Sequence, residues 1–151
     1  MIRFVIASAI FALGSTAAFA DGDAAKGANV FKKCMACHAV GEGAKNKVGP
    51  ELNGIVGRKM GAVEGFNYSD TLKEHNAKGD VWSAEILSQY LQNPKQFMPG
   101  VKMVFAGLPK DTDRADLLAF LSQYNEAGVK TEAAAAPAAA PAPATATPPA
   151  P

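Results

Sequence analysis

The sequence is short of donors for most metal and thiol chemistry: its 151 residues hold only two cysteines and two histidines. Beyond the cluster at 34–38 the one remaining donor of this kind is His75. That is too little for a zinc centre, which needs about four ligands and usually a second Cys or His pair. No alternation of strand-like and helix-like segments surrounds the cysteines, which argues against a thioredoxin-like dithiol placed between a strand and a helix. Charge of either sign is not in excess, with 15 Lys and Arg against 14 Asp and Glu. Taking Arg3 away with the leader described below leaves 14 of each, a balance that argues against nucleic-acid binding. Apart from Phe4 to Leu13, no apolar run approaches the length that crosses a hydrocarbon layer of about 30 Å. The mature chain is therefore expected to be soluble, with no membrane anchor.

The two ends differ from the middle. Residues 1–20 carry Arg3, the apolar run and a small-residue ending, Ala18-Phe19-Ala20, the pattern of a cleavable secretory signal peptide. Cleavage after Ala20 is expected, with export as its consequence. Residues 133–151 contain only Ala, Pro and Thr, a composition that cannot bury a core and favours extended, solvated backbone. This tail is expected to be disordered. What remains, residues 21–132, is the size of one small domain.

Within it, Cys34-Met35-Ala36-Cys37-His38 has the order of thiol, thiol and imidazole that covalent haem attachment requires. Two cysteines three positions apart can each form a thioether with one porphyrin, and the histidine after the second is placed to ligate iron. His38 is the expected proximal ligand.

Helix signals flank this motif. Asp23 can cap a first helix to about Lys33, with Gly27 leaving room for another backbone. From Ala39 to Gly65 seven glycines and no sustained period mark a loop, reasonable if it wraps a large flat cofactor. Ser69-Asp70 opens a short helix to about His75, closed by Gly79, with His75 itself expected to face solvent. Ser83 caps a helix whose Ile86, Leu87, Tyr90 and Leu91 share a face, and Asn93-Pro94 stops it. A second loop, Lys95 to Pro109, follows. Thr112 and Asp113 open a last helix with an apolar stripe of Leu117, Leu118, Phe120, Leu121 and Tyr124, ending before Gly128. The expected fold is all-α and loop-rich, with the first and last helices packed together.

Iron held by one imidazole needs a second axial partner, whose identity decides between carrying electrons and binding small molecules. Met35 is held on the proximal side between the cysteines. Met60, Met98, Met103 and His75 all remain candidates on the residues alone.

The motifs Cys34 to His38, Gly49-Pro50-Glu51-Leu52-Asn53-Gly54, Gly57-Arg58-Lys59, Asn93-Pro94-Lys95 and Pro99 to Gly107, in that order, closely resemble class I c-type cytochromes. The nearest forms are the bacterial periplasmic cytochromes c2 and mitochondrial cytochrome c. The resemblance implies the small, loop-rich cytochrome c fold around one covalent haem c, with His38 and Met103 as its iron ligands and Met98 in packing. It implies that the Pro50 carbonyl accepts the other imidazole N–H of His38. Arg58, Tyr68 and Trp82 correspond to donors around the haem propionates, and Tyr90 to the tyrosine beside the axial methionine. Val101 departs from the pattern, standing where mitochondrial members have a threonine that helps hold a propionate. The segment from Phe66 to Trp82 is longer than in those members, so no propionate role is carried over to His75 or Asn76.

What the resemblance implies functionally is a monomeric, periplasmic one-electron carrier and not an enzyme. It would shuttle electrons from a quinol-oxidising cytochrome complex to a terminal oxidase or photosynthetic reaction centre. Lys33, Lys47, Lys95, Lys102 and Lys110 are expected around the haem opening as a docking face for these membrane complexes, with Glu85, Asp111, Asp113 and Asp116 further away. Two other functions stay open at this level: a dedicated donor or acceptor for one periplasmic enzyme, and a haem sensor or peroxidase-like protein with a labile methionine.

Overall fold

Five helices are present among the described residues: α1 (Ala24–Phe31), α2 (Asp70–Lys78), α3 (Ala84–Gln92), α4 (Pro94–Phe97) and α5 (Asp111–Leu121). They come from a computed structural model that describes residues 22–131. The expected leader (1–20) and tail (133–151) lie outside the described residues. Among these there is no strand, only the isolated bridges Lys59 with Val81 and Tyr124 with Lys130, and no helix long and apolar enough to cross a membrane.

α1 and α5 cross in close contact. The Asp23 carboxylate accepts the Ala25 and Lys26 amides at 2.9 and 3.1 Å, starting α1. The Asp23 amide in turn donates to Asp116 on α5 at 2.7 Å. A side chain at Gly27 would strike the Asp116 carbonyl and come within 2.7 Å of Phe120 Cβ, so the bare backbone lets the axes meet. Phe31 and Phe120 stack tilted, their centroids 5.2 Å apart. Leu117, Leu118 and Leu121 are buried behind them, each worth about 1.5–3 kcal/mol relative to exposure. After Phe31 the chain stays tightly turned, with Cys34 N–H donating to Phe31 O at 2.7 Å and His38 N–H to Cys34 O at 2.9 Å. The thiols and the imidazole thus hang directly from the α1–α5 crossing.

Ser83 caps α3 through the Ile86 amide at 3.1 Å, and Leu87 and Tyr90 face the core. The expected stop at Asn93-Pro94 is also a start. Asn93 accepts the Gln96 amide and Pro94 sits in the first turn of α4, where its missing N–H has no partner to lose. The loop expected from Lys95 therefore begins with a helical turn. α2 runs on past His75 to Lys78, since nothing before Gly79 breaks it. His75 does not simply face solvent: its side chain is 31% exposed and its Nδ1 lies 2.7 Å from an Asp80 carboxylate oxygen.

α5 starts at Asp111 and stops at Leu121, well short of Gly128. Asn125 accepts the Val129 amide at 3.0 Å and the Thr131 amide donates to Gln123 O, so local turn bonding displaces further helix. Arg114 is buried within α5 and donates to the Leu108 and Pro109 carbonyls at 2.6 and 3.0 Å, to Ser88 Oγ, and to Asp111. It clamps the end of the long 98–110 loop to α3 and α5.

Candidate functional site

The helices and loops enclose a cavity of about 300 Å³, walled mostly by apolar side chains. All of Cys34, Cys37, His38, Pro50, Arg58, Tyr68, Trp82, Tyr90 and Met103 line it. Met103 is the one methionine on this wall among the described residues. Met60 and Met98 are 2% and 3% exposed and face a separate hollow with His75, and Met35 is 52% exposed at the surface.

The imidazole is oriented by its neighbours. His38 Nδ1 lies 2.7 Å from the Pro50 carbonyl, and a carbonyl only accepts, so Nδ1 carries the proton and Nε2 keeps its lone pair. Burial lowers the basicity of His38, the Pro50 carbonyl opposes this, and Lys47 adds to the lowering. A neutral ring with a free nitrogen is the form that ligates metal. Gly49 packs flat on the ring, and a Cβ there would sit 2.8 Å from both ring nitrogens. The Gly49 amide also donates to Cys37 O at 2.8 Å. Cys34 and Cys37 are unbridged, and burial pushes the Cys34 thiol up, opposed by Lys33.

On the 98–110 loop, the Tyr90 hydroxyl lies 3.9 Å from Met103 Sδ, and burial pushes that phenol up to about 12. Trp82 backs Tyr90 with ring centroids 4.9 Å apart. The loop is tied down at both ends. Thr71 Oγ1 donates to Pro99 O at 3.0 Å, and Lys102 Nζ donates to Asn67 O and Tyr68 O at 3.1 Å. Further on, the Leu108 amide reaches Leu91 O at 2.7 Å.

A third group of residues is ionic. Arg58 Nη1 donates to Glu51 Oε1 at 2.6 Å and to Asn53 O at 2.7 Å, while Nη2 donates to Glu51 O at 2.8 Å. Tyr68 stands close by, its hydroxyl accepting the Val63 amide at 3.4 Å. Burial raises the Tyr68 phenol, the Val63 contact and Arg58 lower it, and Glu51 raises it.

Sequence reasoning did not single out Glu51, Thr71 or Arg114. Nothing in a loop without periodicity marks which carboxylate will fold back on an arginine seven positions later. The expected separation of lysines from acids is also corrected at one point. Lys33 Nζ lies 3.6 Å from Asp113, because the α1–α5 crossing brings the end of one helix beside the start of the other.

The cytochrome c family model matches residues 24–125. Cytochrome c-550 of Ancylobacter novellus is 80% identical over 106 residues, covering 70% of this chain and 99% of that protein. Cytochrome c2 of Blastochloris viridis is 47% identical over 116 residues, 77% of this chain and 89% of its own length. Among solved structures, that of cytochrome c2 from Rhodospirillum centenum superposes with a TM-score of 0.66 at 42% identity, over 69% of this chain and 99% of the other.

Proposed function

The chain belongs to the cytochrome c family of electron carriers with one covalently attached haem c, and from that premise we propose that it is a soluble periplasmic one-electron shuttle. Its donor is a quinol-oxidising cytochrome complex, and its acceptor a terminal oxidase or photosynthetic reaction centre. The observation that carries the reading is that both thiols, the His38 imidazole and the Met103 thioether line a single apolar cavity.

These residues fit the group. Cys34 and Cys37 would tether it, and His38 Nε2 and Met103 Sδ would hold its iron. When bound, the haem supplies a one-electron ferric/ferrous couple. The Pro50 carbonyl keeps the His38 ring in one tautomer and orientation, and Tyr90 directs its hydroxyl at the Met103 sulfur. With His38 and Met103 both holding the iron, oxygen and peroxide would be kept from it, and the chain would itself catalyse nothing. The soft thioether and the apolar wall both favour the less charged ferrous state and raise the potential. Val48 and Val104, 80% and 87% exposed, line the cavity as well, so its mouth opens on the surface where a partner can approach.

Visible spectra through a redox titration, with and without carbon monoxide, test this directly. The expected result is sharp reduced bands of a c-type haem, a weak methionine-to-iron band when oxidised, a reversible one-electron couple and no carbon monoxide shift. A high-spin spectrum or a ready shift would replace the carrier with a sensor or peroxidase-like protein. Docking has its own readout. Lys33 and Lys102 line the cavity while Lys47, Lys95 and Lys110 are exposed, which suits an acidic face on the partner complex. The bimolecular electron-transfer rate is expected to fall about tenfold between low and physiological ionic strength. A rate independent of salt would remove the basic docking face.

A further inference from the structure

We propose that Glu51 is a positioning residue for the redox couple: through Arg58 it sets the charge presented to the cavity, and so the reduction potential. This rests on the carrier reading above. Arg58 lines the cavity and Glu51 does not, so the carboxylate acts from behind the guanidinium. The two side chains are 11% and 18% exposed, largely out of water, where a charge is weakly screened. Glu51 is held on both oxygens: Oε1 takes Arg58 Nη1 at 2.6 Å and Oε2 takes the Asn53 amide at 2.6 Å. It cannot swing into solvent without abandoning a backbone N–H. Among the described residues, three of the five N–H groups of Arg58 are committed, one to the Glu51 carboxylate and two to carbonyls. The other two make no hydrogen bond to the described residues and would be available to an anionic group bound in the cavity. Tyr68, whose phenol Arg58 lowers and Glu51 raises, lines the same cavity.

The sign follows from charge alone. The oxidised centre carries one more positive charge than the reduced one, so a nearby carboxylate favours the oxidised state, and its removal raises the potential. Glu51→Gln keeps a side-chain oxygen for Arg58 and leaves both carbonyl acceptors in place, removing the charge with little change of shape, at the cost of the Asn53 amide bond, which its NH2 cannot accept. Gains and losses of a single electron are all that is involved; no bond to Glu51 forms or breaks.

The experiment is a spectroelectrochemical titration of the haem-loaded wild type, Glu51→Gln and Glu51→Asp, each with its thermal unfolding curve. Glu51→Gln is expected to shift the exchange equilibrium about threefold towards the reduced form, or ~28 mV upward at 59 mV per tenfold. Glu51→Asp, which keeps the charge but withdraws it by one methylene, is expected to fall between the two. A wild-type or lower potential in both variants, whatever happens to their stability, overturns the proposal and leaves Glu51 a loop brace. Should Glu51→Gln not hold its haem, Glu51→Asp decides alone: an upward shift supports the proposal and a wild-type value overturns it. A wild type lacking a reversible one-electron couple would instead fail the carrier reading, and this proposal with it.

Discussion

Met103→Ala protein, matured with its haem, is expected to lose the weak methionine-to-iron band, to bind carbon monoxide readily when reduced, and to show a much lower midpoint potential. Axial-ligand identity spans about 0.8 V across haem proteins, so losing a soft thioether should shift the potential by on the order of 100 mV or more. The size of the effect depends on nothing else replacing the sulfur. Met98 and Met60 are buried in packing away from this cavity, and Met35 lies between the two cysteines and faces outward. His75 is held by Asp80 at the same separate hollow as Met60 and Met98. The fold should survive, because Met103 is only half-buried. Its loop is held by Thr71, Lys102 and Arg114 and not by the methionine itself. A Met103→Ala protein that still refused carbon monoxide would show that another group closes the iron, and the assignment of Met103 would fall.

Much of this site can be read from sequence because its most demanding chemistry is local. The tethering proposed for Cys34, Cys37 and His38 needs two thiols and an imidazole within five positions, and no folding is required to see them. The helix starts at Asp23, Ser69 and Ser83 were equally legible, since a cap is a contact between residues two or three apart. Signals that cut both ways were read less well. Asn93-Pro94 ends one helix and begins another, and the four residues of α4 are too few to show a period. The end of α5 depends on Asn125 and Gln123 pairing with residues from the turn beyond, a competition that an apolar stripe does not record. Buried charge was the least legible. Arg114 and Glu51 are satisfied by carbonyls, amides and side chains that only the folded chain brings near, and a count of charges reads both as surface.

Gly27→Val should cause a large loss of stability at the α1–α5 contact. In an exposed helix, replacing glycine by a residue of better helical propensity gains up to about 1 kcal/mol. At Gly27 that gain is overwhelmed, because the first carbon of any side chain would meet the Asp116 carbonyl and lie 2.7 Å from Phe120 Cβ. Neither neighbour can yield cheaply, as one is helix backbone and the other is fixed by the Phe31 and Tyr124 rings on either side. The helices must separate, which opens the core around Leu117 and Leu121 and adds cavity loss to the clash. Overpacking of this kind costs about 1–3 kcal/mol by itself, occasionally more, and the lost burial takes the expected total to roughly 3 kcal/mol or more. For a domain of this size each kcal/mol lowers the unfolding midpoint by about 4 °C, so calorimetry should find a fall of at least ~12 °C. Haem loading should suffer with it, since Phe31 O anchors the Cys34 amide at the end of the same helix. The protein that does fold should keep a wild-type spectrum, because His38 and Met103 are untouched. A wild-type unfolding midpoint would mean that the two helices have room to move apart, and that their contact at Gly27 does not hold the domain together.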